Sequence, residues 1–193
     1  EQYVELALTY LRLGSESTDY VIREYDLDAI IRQALRENAS VFIRKKIKLH
    51  YEPLQVKVLT DEKWLGFVIG QILSNALKYT RTGGIRIYLE KKLSLDTDDV
   101  SISIGNDDCN KVENLTLVIE DTGIGIRAED IPRIFEKGYT GVNGRENNRA
   151  TGIGLYLSKK IMKRLGHRIY VTSEEGKGTK VFLEFSQNVL TMY

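Results

Sequence analysis

Four short segments, in a fixed order over about half of the chain, constrain the fold more than any bulk property does. They read Gln71-Ile72-Leu73-Ser74-Asn75-Ala76-Leu77-Lys78-Tyr79-Thr80, then Glu120-Asp121-Thr122-Gly123-Ile124-Gly125-Ile126, then Ala150-Thr151-Gly152-Ile153-Gly154-Leu155, then Gly176-Lys177-Gly178-Thr179. A Gly-x-Gly standing alone is more often a tight turn than a binding loop. The ordered set, with an asparagine-bearing segment ahead of three glycine segments, says more than its parts.

The first segment lies on a helix expected from about Asp61 to Thr80. At 100° per residue Leu65, Val68, Ile69, Ile72, Leu73 and Ala76 form one apolar stripe, while Gln71, Asn75 and Lys78 cluster about 120° from its centre, at the border of the core. Asparagine prefers caps and turns, so Asn75 in mid-helix beside a core stripe invites a functional reading. Upstream, residues 20–25 alternate like a strand. Leu27, Ile30, Ile31, Ala34, Leu35 and Phe42 then follow a 3.6-residue period behind a capping Asp26 or Asp28. Short strands are expected at 47–51 and 56–59, on either side of Pro53, then at about 85–91, 115–120, 168–173 and 179–186. A third helix is expected over 152–165, with Ile153, Leu157, Ile161 and Leu165 on one face and Gly166 as its stop.

Three segments do not fit this alternation of helix and strand. Residues 1–13 place Val4, Leu8 and Leu11 at helical spacing. Residues 93–114 form a connection longer than a usual hairpin, and its Val100-Ser101-Ile102-Ser103-Ile104 alternation suggests an added strand pair. Residues 136–151 hold Gly138, Gly141 and Gly144 with few apolar anchors, which suggests a mobile loop with little to bury against its ordering entropy.

The 193 residues suffice for one domain with an appended segment, and Lys+Arg of 28 against Asp+Glu of 27 gives no global field toward nucleic acid or acidic membrane. The single cysteine, Cys109, excludes an internal disulfide and a zinc cluster and fits a reducing compartment. No run of about 18 apolar residues reads as a membrane span.

The four segments, in this order and on these elements, resemble the catalytic ATP-binding domain of bacterial sensor histidine kinases, a family that extends to gyrase B, Hsp90 and MutL. The resemblance covers about residues 20–186. It implies a two-layer α/β sandwich of the Bergerat type, a mixed sheet with three main helices on one face, and ATP and Mg²⁺ as cofactors. It further implies that Asn75 is the Mg²⁺ ligand, that Lys78 supports the phosphates, and that Tyr79 lies along the nucleotide. Asp121 would accept a hydrogen bond from the adenine amine, with Thr179 completing that polar cluster. Gly123, Gly125 and Ile126 would form the loop against the base, and Thr151, Gly152, Ile153, Gly154 and Leu155 a helix start that receives phosphate. Ile134-Phe135-Glu136-Lys137-Gly138-Tyr139-Thr140-Gly141 resembles the motif that hinges a lid of residues 136–151, with Tyr139 toward the nucleotide.

Residues 1–14 would then be the remnant of the dimerisation hairpin's second helix, with 15–193 the catalytic domain. The expected partners are that dimerisation and phosphoacceptor domain, a response regulator, and a second copy of the parent. The stretch Lys137 to Arg145 is similar to the short intramembrane-sensing kinases associated with peptide-antibiotic transporters. That places the domain in the cytoplasm and its parent in the bacterial membrane.

Three positions depart from the family pattern. Gln71 stands where most sensor kinases have an asparagine and the hydrolytic relatives a glutamate, and an amide cannot serve as general base. This favours transfer to a partner nucleophile over activation of water. Thr140 replaces a common arginine, leaving Lys137, Arg145 and Arg149 as candidates for stabilising transferred charge. Ala150 replaces a common glycine. An ATP-hydrolysing clamp and a nucleotide-binding regulator without transfer activity are the alternatives. Neither His50 nor His167 has the flanking pattern of a phosphoacceptor, so the acceptor histidine is expected on another domain.

Overall fold

A computed structural model of the chain describes residues 20–92, 114–141 and 151–186. In order, the elements are β1 (Arg23–Asp26), α1 (Leu27–Lys45), β2 (Lys48–Tyr51), β3 (Lys57–Thr60), α2 (Glu62–Tyr79), β4 (Gly84–Lys92) and β5 (Asn114–Asp121). A 3-10 turn (Ile131–Arg133), α3 (Gly154–Arg164), β6 (Arg168–Glu174) and β7 (Gly178–Phe185) follow. The expected helix at 1–13, the strand pair at 100–104, and Arg145, Arg149 and Ala150 lie outside the described residues.

Local chemistry sets the helix boundaries. The Asp26 carboxylate accepts from the Asp28 N–H at the start of α1, and Lys46 ends that helix by entering the left-handed region at φ 55°. Asp61 caps α2 by accepting from the Trp64 N–H, and Thr80 leaves the helix in an extended conformation. The third helix starts two residues later than the pattern predicts. Gly152 sits at φ +64°, which no residue of a right-handed helix adopts, so the first helical residue is Gly154.

Five strands form one mixed sheet in the order β2-β4-β5-β7-β6, while β1 and β3 pair separately. The β2–β4 pair is parallel and the other neighbours are antiparallel. The main core joins Leu27 and Ile31 of α1, Leu65, Ile69 and Leu73 of α2, and Leu157 and Ile161 of α3 to Ile85, Leu117, Ile119 and Leu183 of the sheet, all fully or almost fully buried. Each such side chain contributes roughly 1.5–3 kcal/mol by leaving water. The expected architecture, three helices on one face of a mixed sheet, is the one observed. It places the C-terminal end of α2, the end of the central strand β5 and the β6–β7 turn side by side.

Candidate functional site

Strand β5 ends at Asp121, in register with Ile85 of β4 on one side and Thr179 of β7 on the other. Its carboxylate is only 8 % exposed and accepts from the Gly123 N–H at 2.8 Å. Burial pushes the acid up to about 6, against the downward pull of the Gly123 and Thr179 amides and the Thr80 hydroxyl. The Thr80 hydroxyl is itself fully buried. It lies near the carboxylate without a well-formed hydrogen bond among the described residues, so a buried polar atom beside Asp121 is still to be satisfied.

Glycine is required where the loop after β5 meets α2. A Cβ on Gly123 would lie 2.7 Å from Asp121 Oδ1, 2.7 Å from the Tyr79 carbonyl and 3.0 Å from the Thr80 hydroxyl. The Ile124 N–H also donates to the Tyr79 carbonyl at 3.3 Å, which ties the first and second sequence segments together.

The second and fourth segments are fused more tightly. Gly125, at φ +71°, runs so close to the β6–β7 turn that a Cβ would stand 2.0 Å from the Glu174 carbonyl oxygen, and the Gly176 N–H donates to Ile124 O at 2.8 Å. Ser173 secures this junction. Its Oγ accepts from the Ile126 N–H at 2.8 Å, donates to Gly178 O at 2.7 Å and lies 2.9 Å from Thr179 Oγ1. Sequence reasoning missed Ser173, because its partners lie in two other segments, the loop after β5 and the start of β7, and no local pattern marks it.

On α2, Gln71, Asn75 and Lys78 are half-buried, as their place beside the core stripe predicts. The Asn75 amide takes no partner among the described residues. Burial lowers the Lys78 ammonium from its ordinary value and raises the Tyr79 phenol, and Lys78 Nζ stands 5.2 Å from the centre of the Tyr79 ring. The first segment meets the third at the start of α3, where Gln71 Oε1 lies 2.7 Å from the position a Gly154 Cβ would take. Ile153, the N-cap of α3, gives no side-chain cap to that helix, and a helix start without one is a favourable place for an anionic oxygen. Thr151 accepts from the Ile153 N–H at 3.3 Å, and Leu155 is half-buried on the first turn.

Tyr139 stands among charged side chains. Its hydroxyl donates to Asp130, which also accepts from Arg127 at 3.3 Å, and the Arg133 guanidinium lies 4.4 Å from the ring centre. This cluster stands at the neck where the Gly138 N–H donates to Gly152 O at 3.0 Å; a Cβ on Gly152 would be 2.4 Å from the Gly138 carbonyl carbon. Asp130 was not among the residues singled out from sequence.

No group of three or more His, Cys, Asp or Glu side chains able to hold a metal occurs among the described residues. The neutral amide oxygen of Asn75 suits a metal held mainly by phosphate and water, the manner in which Mg²⁺ is usually bound. His50 is exposed on β2. His167 is buried edge-on against Phe185 at 5.1 Å, and burial pushes it down to about 4, so it is neutral at physiological pH.

Comparison with known proteins agrees with this geometry. The family described as histidine kinase-, DNA gyrase B-, and HSP90-like ATPase matches residues 60–189. The sensor histidine kinase YxdK of Bacillus subtilis (strain 168) is 32 % identical over 94 % of this chain and 51 % of its own length. The sensor protein BceS of Halalkalibacterium halodurans is 34 % identical over 90 % of this chain and 46 % of its own. The chain thus spans about half the length of the curated relatives it matches. Among solved structures, full-length ShkA in complex with AMPPNP superposes with a TM-score of 0.71 at 21 % identity, over 98 % of this chain and 36 % of that one, a likeness of fold. The buried acceptor at the end of β5, the glycine close approaches and the uncapped start of α3 all lie within the matched span, and the chain therefore belongs to the histidine kinase-, DNA gyrase B- and HSP90-like ATPase family, as an ATP-binding catalytic domain of the sensor histidine kinase type.

Proposed function

We propose that this domain binds Mg-ATP between α2, the loop after β5 and the start of α3, and donates the γ-phosphoryl group to a histidine on a separate helical-hairpin domain. The observation that carries the reading is the pairing of two features along α2. At one end a buried acceptor, Asp121, has an unsatisfied Thr80 hydroxyl beside it; at the other the uncapped start of α3 lies against Gln71.

In this reading Asp121 accepts from the exocyclic amine of adenine, and Gly123 and Gly125 keep side chains out of the way. Lys78 and the α3 N–H groups hold phosphate oxygens, Tyr79 lies along the nucleotide, and Thr179 and Ser173 fix the edge of the pocket. Asn75 gives Mg²⁺ its protein ligand; when bound, the metal gathers the phosphate oxygens and offsets their charge. Gln71 orients but cannot remove a proton, so the site favours an incoming imidazole over water. Tyr139, held by Asp130, acts at the hinge of residues 136–151 and not on the base. The relatives' names support a sensor-kinase parent; on this reading the parent is a dimer in the bacterial membrane with a response regulator as partner, and the Lys137–Arg145 stretch supports the intramembrane-sensing branch, with a peptide-antibiotic transporter as associate.

The decisive experiment supplies the chain with a histidine-bearing hairpin domain and radiolabelled ATP. Acid-labile, alkali-stable label on the hairpin is expected, and it should vanish for Asn75→Ala while metal-free nucleotide still binds. A folded, ATP-binding chain that leaves the hairpin unlabelled would overturn the transfer reading.

A further inference from the structure

The last turn of α2 ends in carbonyl groups that no helical N–H can reach. Three of them, on Leu77, Lys78 and Thr80, accept from one ammonium that belongs to another helix. Lys45, in the last turn of α1, places its Nζ against Leu77 O, 3.3 Å from Lys78 O and 3.2 Å from Thr80 O. An ammonium has three protons, and here each has an acceptor within the same turn.

That turn is no ordinary helix end. It presents Lys78, Tyr79 and Thr80, and its Tyr79 carbonyl takes the Ile124 N–H of the loop after β5. It is also the negative pole of α2, equivalent to roughly half an elementary charge. A polyanion seated beside Lys78 would meet that negative pole, which works against the cation on the same turn. Among the described residues, Lys45 is the side chain that caps these carbonyls with positive charge.

We infer that Lys45 is a positioning residue of the nucleotide site: it cancels the negative end of α2 so that the triphosphate binds next to it, without touching the nucleotide. This rests on the nucleotide-binding reading above. A purely structural cap would lower the stability of the domain and leave the affinity of the folded fraction alone, or would weaken all nucleosides alike. An electrostatic cap discriminates by ligand charge.

The test compares wild type with Lys45→Met, with Lys45→Gln, which keeps an N–H donor for the same carbonyls, and with Lys45→Arg, which keeps the charge. Calorimetric titrations with ATP and with adenosine are run on samples whose folding is verified by circular dichroism. Both charge-removing variants should bind ATP about five- to thirtyfold more weakly, with adenosine changed by less than about twofold and Lys45→Arg close to wild type. Unchanged ATP affinity in folded Lys45→Gln overturns the inference, as does an equal loss for ATP and adenosine. A wild-type chain that binds no ATP overturns the nucleotide reading itself, and this inference with it.

Discussion

At the scale of single residues, Asp121 carries two opposed demands, because a good acceptor for a buried amine must be ionised while its surroundings resist charge. Its folded value of about 6 lies above the unfolded value near 4. The protonated folded form is therefore favoured between the two, and this residue's contribution to stability is greatest below about pH 4 and is lost as pH rises through about 6. The loss is on the order of 3 kcal/mol. Urea denaturation of wild type and Asp121→Asn at pH 4.5 and 7.5 should show the variant gaining on wild type as pH rises; a constant difference would refute the assignment. ATP affinity should run the other way, weakening in wild type as pH falls below about 6. In Asp121→Asn it should be poorer than wild type by roughly ten- to a hundredfold at pH 7.5, since an amide offers a donor where an acceptor is needed, and the gap should narrow at pH 4.5, where the wild-type carboxyl is protonated. Calorimetry at the same two pH values reads both.

At the scale of elements, two glycines with similar sequence contexts should respond oppositely to alanine. Gly125 has positive φ and faces backbone, the Glu174 carbonyl, at a distance no Cβ tolerates. Gly154 has an ordinary helical backbone and faces only the mobile end of the Gln71 side chain. Gly125→Ala should cost at least about 2 kcal/mol, and Gly154→Ala should stay within about 1 kcal/mol of wild type. Equal denaturation midpoints for the two would mean that the β6–β7 turn does not press on the loop as described.

The same pair shows what could be read from the sequence. The periodicity of α1 and α2 and the ends of β5 and β7 were legible because one amphipathic pattern or one apolar run dictates each. The true start of α3 was not, because Gly152 is excluded from the helix by its approach to Gly138, a neighbour known only once the chain has folded. Asn75, Lys78 and Asp121 were visible as motif members. Ser173, Asp130 and Lys45 were not: Ser173 reaches back to Ile126 and Lys45 across to the end of α2, while Asp130, whose partners Arg127 and Tyr139 are near it in the chain, belongs to none of the four segments.

At the scale of the whole molecule, the isolated chain should bind ATP but turn it over very slowly, because Gln71 offers no titrating group near the start of α3. Gln71→Glu places a carboxylate there, one helical turn before Asn75, and should raise steady-state hydrolysis without improving ATP affinity. Rapid hydrolysis by wild type that disappears in Asn75→Ala would show that water is already activated by another group.

The central hairpin of the sheet has a further consequence. Strands β4 and β5 are antiparallel and run in register from Ile85 opposite Asp121 to Lys92 opposite Asn114, so Asp121 and the Lys92–Asn114 pair lie at opposite ends of β5, roughly 24 Å apart. Lys92 and Asn114 already face each other, and a two-residue Asn-Gly turn would suffice to close the hairpin there. The domain is thus modular along its own middle strand: residues 93–113 can be excised as a cassette, and the miniaturised protein should keep the wild-type affinity for ATP.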